Sequence, residues 1–272
     1  MNWQRRFLWP FLCALQLLTR LPVHRFPVYD QYCTENTGNY SRLQQTSVLW
    51  YPIVGLLIGF LVAVSCAGLL YCGAKPTVVA ACGIALVIYV TGALHLDGLA
   101  DWMDAWVGGF GSKDRTLAIM KDPRSGPIAV AALVAVLLLK FSALEAILSS
   151  DLATSYQMYA WIILPFVLSR AIIVPLFSLT PYVRQNGMGK FIEDSQVRAQ
   201  GNLTILLLIP CLLFIFQWHT LLIILITALI FYLYRALIMA RIGGTTGDTA
   251  GALVELTETG LFVLGSILCQ SV

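Results

Sequence analysis

The chain has 272 residues, of which 58% are apolar and only 11% charged, less than half the roughly 25% charged residues of soluble domains. Mean hydropathy is +0.80, and repeated apolar runs of about 15 to 23 residues exclude a water-soluble domain and, with them, intrinsic disorder. A net charge of +3 is too small to point to nucleic acid, and long continuous apolar runs in place of short alternating segments exclude a β-barrel. The expectation is an all-α polytopic membrane protein forming one integral membrane domain over residues 1–272. Residues 1–48 are its N-terminal cytoplasmic or interfacial segment, and 49–272 its helix bundle in the lipid bilayer.

Taken in chain order, the first apolar stretch, Phe7–Leu18, is flanked by Arg5, Arg6 and Arg20. It falls short of the roughly 20 residues that cross the hydrocarbon core, and no A-x-A cleavage site follows it. It predicts an interfacial helix feeding the Leu21-Pro22 turn. Seven later segments qualify or nearly qualify as spans, at about Leu49–Tyr71, Thr77–Leu94, Pro127–Leu148, Tyr159–Leu179, Leu203–Gln217, Thr220–Ala240 and Ala252–Cys269. The fifth is short and hinges on Pro210. In the first, Gly55-Leu-Leu-Ile-Gly59 is a helix-packing motif. The cysteines (Cys13, Cys33, Cys66, Cys72, Cys82, Cys211, Cys269) are scattered without a CxxC pair and read as packing thiols.

Basic residues alternate between connections. Arg5, Arg6, Arg20, Arg25 and Arg42 precede the first span; Lys113, Arg115, Lys121 and Arg124 lie between the second and third. Arg184, Lys190 and Arg198 follow the fourth, and Arg241 the sixth, whereas the other set of connections carries Lys75 alone. The positive-inside rule then places the N-terminus in the cytoplasm, and seven spans place the C-terminus outside. Most carboxylates fall on the basic side, so an active site is expected at the cytoplasmic face.

Three constellations there could carry chemistry. In His95-Leu-Asp97-Gly98-Leu-Ala-Asp101-Trp-Met-Asp104, the carboxylates recur at i, i+4 and i+7 and share one helix face. Like charges so placed call for a cation, and hard oxygen ligands shared with substrate phosphates suit Mg²⁺. The alternative, a solvated acidic helix end, fits poorly beside Leu99, Trp102, Met103 and Trp106. In Met120-Lys121-Asp122-Pro123-Arg124, the cations read as phosphate clamps; alone, they are ordinary basic loop content. In Gly243-Gly-Thr-Thr-Gly-Asp248-Thr-Ala-Gly-Ala252, glycines at a helix start could cradle phosphate, but the lysine of a P-loop is missing. Glu255 and Glu258 follow Asp248 on roughly one face, and Glu255 stands inside a span without an evident counter-charge. Arg170, mid-span in the fourth segment, is expected to pair with a buried acid or a substrate anion. Arg184 sits in a glycine-containing loop that is weak as a motif. His24 and His219 take the bland reading.

Together these motifs resemble the cobalamin synthase family, also called the adenosylcobinamide-GDP ribazoletransferases. The resemblance runs through Leu18-Thr-Arg-Leu-Pro22, His95-Leu-Asp-Gly-Leu-Ala-Asp101, Lys121-Asp122-x-Arg124, Pro181-Tyr182-x-Arg184 and Gly243-Gly-x-Thr-Gly-Asp248-x-x-Gly-Ala252. It implies a Mg²⁺-dependent transferase in the bacterial cytoplasmic (inner) membrane. Such an enzyme joins adenosylcobinamide-GDP to α-ribazole, or its 5′-phosphate, and releases GMP. On this resemblance Asp97, Asp101 and Asp104 are expected to hold Mg²⁺, and one of them or Asp248 to act as base. Lys121, Arg124 and Arg184 are expected to hold the pyrophosphate, with His95, Asp122, Arg170 and Glu255 as further candidates; a homo-oligomer is compatible with all of this.

Two other readings compete. A CDP-alcohol phosphotransferase also carries a helix-borne aspartate cluster, but its pattern has Ala-Arg where Ala100-Asp101 stands here. An ion-coupled transporter would use Asp97, Arg170 and Glu255 as midplane groups, yet the acids gather at the cytoplasmic ends and no internal repeat is evident.

Overall fold

A computed structural model describes residues 7–23, 43–150, 156–184 and 195–269. The chain runs through α1 (Trp9–Leu18), a 3-10 turn at Val48–Trp50, α2 (Tyr51–Tyr71), α3 (Pro76–Thr91), α4 (Leu94–Gly108) and α5 (Lys113–Ile119). It continues through α6 (Pro127–Leu148), α7 (Tyr156–Ala171), α8 (Ile173–Leu179), α9 (Ser195–Phe216), α10 (His219–Ile242) and α11 (Gly247–Leu268). Prolines open α2, α3 and α6, where the missing N–H has no helical acceptor to lose.

Five stretches are long and apolar enough to cross a bilayer: Leu43–Tyr71, Pro127–Leu148, Tyr156–Leu179, His219–Ile242 and Gly247–Leu268. Taking α3 and α4 together, bent by 87°, makes six. The protein is thus a multi-pass, all-α membrane protein. Against the seven spans expected, five or six stretches among the described residues meet this test, and two of the expected segments fall short of it. The expected second span stops at Thr91, because Gly92 (φ 61°) and Ala93 (φ 58°) both turn left-handed. The expected fifth, Leu203–Gln217, is helical to Phe216 within α9, of which Leu206–Phe216 stands as a shorter apolar helix among the described residues. The short N-terminal helix forms as expected, with Trp9, Leu12 and Cys13 packing with Val23 and Leu43 in a core of its own.

The bend is held from outside. The backbone N–H of Arg20, just past α1, donates to the Val90 carbonyl at 2.8 Å. The Arg20 side chain lies so close over Gly92 that a Cβ there would meet its Cγ at 2.3 Å. We read the near-perpendicular turn as the point where the chain leaves the membrane span. From there α4 lies across α11 and the start of α6, carrying its aspartates.

The main core joins α2, α6, α7 and α11, and a second apolar cluster joins α4, α10 and α11 around Leu99, Trp102, Tyr234, Ile238 and Leu253. Helices α2 and α7 make the most extensive pairing. A Cβ at Gly55 would meet the Phe166 carbonyl oxygen at 2.2 Å, and one at Gly59 the Ile163 Cα at 2.9 Å, so the small residues bring the two backbones together as expected. Large exposed apolar side chains such as Phe60, Val64, Leu138, Leu225 and Leu233 face outward as lipid contacts. Cys13, Cys66 and Cys269 are buried, while Cys72, Cys82 and Cys211 are exposed; all are free thiols.

Inside the bundle lies a charge-balanced cluster. Lys140 Nζ on α6 donates to Glu255 Oε2 at 2.6 Å and to Glu258 Oε2 at 2.5 Å, both on α11. Arg170 on α7 pairs with the other oxygen of Glu258, and all four residues are buried. Glu255 therefore does have a counter-charge, and the expectation that its isolation marks function is corrected. Arg170 takes the first of its two expected roles, the buried acid. Two cations and two anions cancel, which is what tolerating ionised groups inside a bilayer requires.

Two stability predictions follow from the packing. Gly55→Leu should destabilise the protein by about 1–3 kcal/mol through overpacking. Gly68→Leu, where a Cβ meets nothing within 4 Å, should leave the thermal midpoint in detergent unchanged; equal effects would refute backbone contact at Gly55. Lys140→Met leaves two carboxylates to a single arginine and should cost about 3–5 kcal/mol. Adding Glu255→Gln should recover part of that loss in the same melting assay, and no recovery would break the pairing scheme.

Candidate active site

The site is built where α4 crosses the first turn of α11. Gly98 is the contact point, since a Cβ on it would meet the Asp248 carbonyl oxygen at 2.8 Å. One turn back, a Cβ on Gly251 would meet the His95 Cα at 3.3 Å. Two glycines, one on each helix, thus let the backbones approach, and Asp97, Asp101 and Asp248 gather around the crossing. A cleft of about 160 Å³ opens there, with His95, Asp97, Gly98, Gly247, Asp248 and Gly251 along one side and Leu17, Tyr51 and Phe177 among the apolar residues around it.

The glycine-rich turn before α11 is rigid. Thr246 and Thr249 form a reciprocal capping box, and the Tyr234 hydroxyl donates to the Thr249 carbonyl at 2.9 Å. The turn also pairs with the Pro181–Arg184 segment. Thr245 N–H donates to the Pro181 carbonyl at 2.8 Å, and Val183 N–H to the Thr245 carbonyl at 3.0 Å. A Cβ on Gly244 would stand 2.2 Å from the Pro181 oxygen, so a side chain there would break this pairing. The pairing delivers Arg184, whose Nη2 donates to Asp248 Oδ2 at 2.5 Å and to the Met120 carbonyl at 3.4 Å.

The carboxylates of the candidate set divide by what they hold. Asp248 has Arg184. Asp104 accepts the backbone N–H groups of Gly126 and Ala129, the latter at 2.9 Å. Among the described residues, Asp97 and Asp101 have no hydrogen-bond or ion-pair partner. Partial burial, followed by the charges of Asp97 and Asp248, pushes the Asp101 carboxyl up to about 6. Uncompensated negative charge is thus concentrated at Asp97 and Asp101. Among the described residues no three His, Cys, Asp or Glu side chains form a ready metal cage. Mg²⁺, which commonly takes one or two carboxylates and completes its shell with water and phosphate oxygens, suits a donor set of this kind.

The expected clamp loop is nearby but outside the cleft. Arg124 is exposed and grips Asp122 with two parallel bonds of 2.9 and 2.6 Å. That pairing holds the Asp122 carboxyl down at about 2. Lys121 is exposed. His95 is buried, with Nδ1 3.5 Å from Arg170 Nη2. Because a guanidinium only donates, Nδ1 accepts there, and Arg170 links the cleft wall to the buried charge cluster. Glu255 lies in that cluster and does not line the cleft.

Residues that the motif reading left without a site role also shape it. Arg20, read from the sequence as loop charge and as part of the Leu18–Pro22 motif, covers the α3–α4 bend. Lys140 was overlooked, although a lysine within an apolar run is itself a signal. Arg241 stacks over Trp106, 4.4 Å from the ring centroid, and donates to its carbonyl, tying the end of α10 to α4.

The comparisons with known proteins agree with one another. The cobalamin-5-phosphate synthase family matches residues 10–266. An adenosylcobinamide-GDP ribazoletransferase from Stutzerimonas stutzeri is 46% identical over 255 residues, covering 93% of this chain and 96% of the relative. Proteins of the same name from Pseudomonas aeruginosa and Pseudomonas fluorescens are 44% and 43% identical, covering 95% and 93% of this chain and 98% and 97% of theirs. No solved structure matches.

A pH effect follows from Asp101. Its folded value of about 6 lies above the roughly 3.9 of an unfolded aspartate. Its contribution to stability is therefore complete below about pH 4 and is lost as pH rises through 6. In divalent-free detergent, the thermal midpoint should fall between pH 5 and 7.5, and Asp101→Asn should flatten that fall. A variant profile as steep as the parent's would remove Asp101 as the cause.

Proposed function

The chain belongs to the cobalamin-5-phosphate synthase family, and from that premise we propose that it is an adenosylcobinamide-GDP ribazoletransferase. It joins adenosylcobinamide-GDP to α-ribazole or its 5′-phosphate, giving adenosylcobalamin or its 5′-phosphate and GMP. The observation that carries this reading is the convergence of Asp97 and Asp101, without partners among the described residues, with the Asp248–Arg184 pair at one helix crossing.

The reaction exchanges a phosphoanhydride bond to GMP for a phosphodiester bond to the ribazole. A ribazole hydroxyl attacks the phosphorus attached to cobinamide, the bond from that phosphorus to the GMP oxygen breaks, and the hydroxyl proton passes to a carboxylate. Asp97 and Asp101 would hold Mg²⁺, which would supply neutralisation of the phosphate charge when bound. Arg184 turns its guanidinium between Asp248 and a phosphate oxygen, and Asp248 is placed to accept the proton of the attacking hydroxyl. Lys121 and Arg124, at the rim, draw in the nucleotide end. Holding both reactants against fixed groups supplies much of the acceleration.

The cleft is lined by His95, Asp97, Gly98, Gly247 and Asp248, and Arg184 and the 120–126 loop stand beside it, all from connections that the basic bias puts on one side. We take that side as cytoplasmic, with the N-terminus there too and the protein in the inner membrane, where both substrates have access.

The test is direct. Purified protein in liposomes, given adenosylcobinamide-GDP, α-ribazole and Mg²⁺, should release GMP and cobalamin in equal amounts. EDTA should stop the reaction, and Asp97→Asn should lower the rate by about a hundredfold or more. Folded protein that makes no product would sink the assignment, and product insensitive to Asp97→Asn would move the metal elsewhere.

A further inference from the structure

Asp104 closes the run of aspartates on α4, but its carboxylate is engaged differently from the other two. Its oxygens accept the N–H groups of Gly126 and Ala129, which are the N-cap and third helical residues of α6. Those are the two amides that a capping box satisfies from within a helix: an N-cap side chain takes the later N–H, and the later side chain takes the N-cap N–H. Gly126 and Ala129 have no side chain able to do either, and α6 makes no side-chain cap of its own. Asp104, more than twenty residues earlier, supplies both halves. The fit is close, since a Cβ on Gly126 would meet Asp104 Oδ1 at 2.8 Å.

The cap has a consequence for the site. The chain entering α6 is the loop with Lys121 and Arg124, and its Met120 carbonyl receives Arg184. Asp104 therefore fastens the clamp loop to the same helix that carries Asp97 and Asp101. The negative charge of Asp104 also faces the positive end of the α6 dipole, so it is already stabilised without a metal ion.

We propose that Asp104 is a positioning residue and not a metal ligand: as a cap supplied in trans, it sets the Lys121–Arg124 loop against the metal-binding aspartates and so governs binding of the nucleotide-bearing substrate. This rests on the reading of the cleft as the transferase site.

Three variants test it: Asp104→Asn, which keeps an acceptor oxygen for the Ala129 N–H; Asp104→Ala; and Gly126→Ala, which displaces the carboxylate without removing any acid. Three readouts are taken on the full chain in detergent or liposomes. They are Mn²⁺ affinity by paramagnetic resonance, kcat and KM for adenosylcobinamide-GDP, and hydrogen exchange of the 120–130 amides. Asp104→Asn, which keeps only one of the two accepted bonds, should raise KM by less than Asp104→Ala does. Asp104→Ala and Gly126→Ala should each raise KM about tenfold through misplacement of the loop, with faster exchange at 120–130. Mn²⁺ affinity should stay at the parent level in all three.

A tenfold or greater loss of Mn²⁺ affinity in Asp104→Asn would overturn the proposal and return Asp104 to the metal. Parent-like KM and exchange in both alanine variants would overturn it as well. Should Asp104→Ala fail to fold, Gly126→Ala and Asp104→Asn decide alone. If the parent itself shows no turnover, the transferase reading fails, while exchange and Mn²⁺ binding still decide what Asp104 does.

Discussion

Much of the molecule depends on one backbone event, the left-handed turn at Gly92 and Ala93. A straight helix would carry Asp97, Asp101 and Asp104 onward along the span axis, away from the glycine-rich turn before α11. The 87° bend instead lays α4 across the bundle. Ala93 is not glycine, so holding it at positive φ costs about 1–2 kcal/mol, which surrounding contacts must offset. Arg20 contributes through its backbone bond to Val90 and its side chain over Gly92. On the far side of the bend, Gly98 and Gly251 set the depth of the crossing. The Leu18–Pro22 motif, remote in sequence from the acids, thereby becomes part of the active-site framework.

Charge inside the protein follows two different rules. Lys140, Arg170, Glu255 and Glu258 are buried and mutually paired, joining α6, α7 and α11. Such a cluster is weak evidence for stability, because desolvation opposes the attraction, but it makes the helix register specific. It also weighs against the transporter reading, in which Arg170 and Glu255 would be available to a moving ion. Here both are bound to fixed partners, and Arg170 reaches the cleft wall through His95.

How much of this was legible in the sequence depended on the kind of signal. Composition gave the all-α membrane class, because a bilayer leaves few ways to satisfy a backbone. Gly55 and Gly59 announced their helix contact, since only small residues allow it. The grouping of Asp97, Asp101 and Asp248 near Arg184 was readable from spacing and resemblance together. The second span ends three residues earlier than expected because hydropathy counts apolar residues and does not see a helix turn aside at Gly92. Glu255 looked isolated because its partner, Lys140, is more than a hundred residues away, and pairing across helices leaves no periodic trace. The cap at Asp104 was hidden for the same reason: an i+7 spacing describes one helix, and the acceptor's partners belong to another.

The carboxylates then sort themselves by compensation. Glu255 and Glu258 meet buried cations, Asp248 meets Arg184, Asp122 meets Arg124, and Asp104 meets the amides that open α6. Each of these negative charges has a partner on a fixed element. Asp97 lines the cleft and Asp101 stands one helical turn further along α4, where burial and the neighbouring acids raise the cost of ionising it. A divalent cation held by these two side chains would offset that cost. A phosphate brought by the substrate would find the cation on one side and Arg184 on the other. Catalytic need and electrostatic need therefore coincide at one place, and the paired charges around it keep the framework fixed while the unpaired ones do the binding.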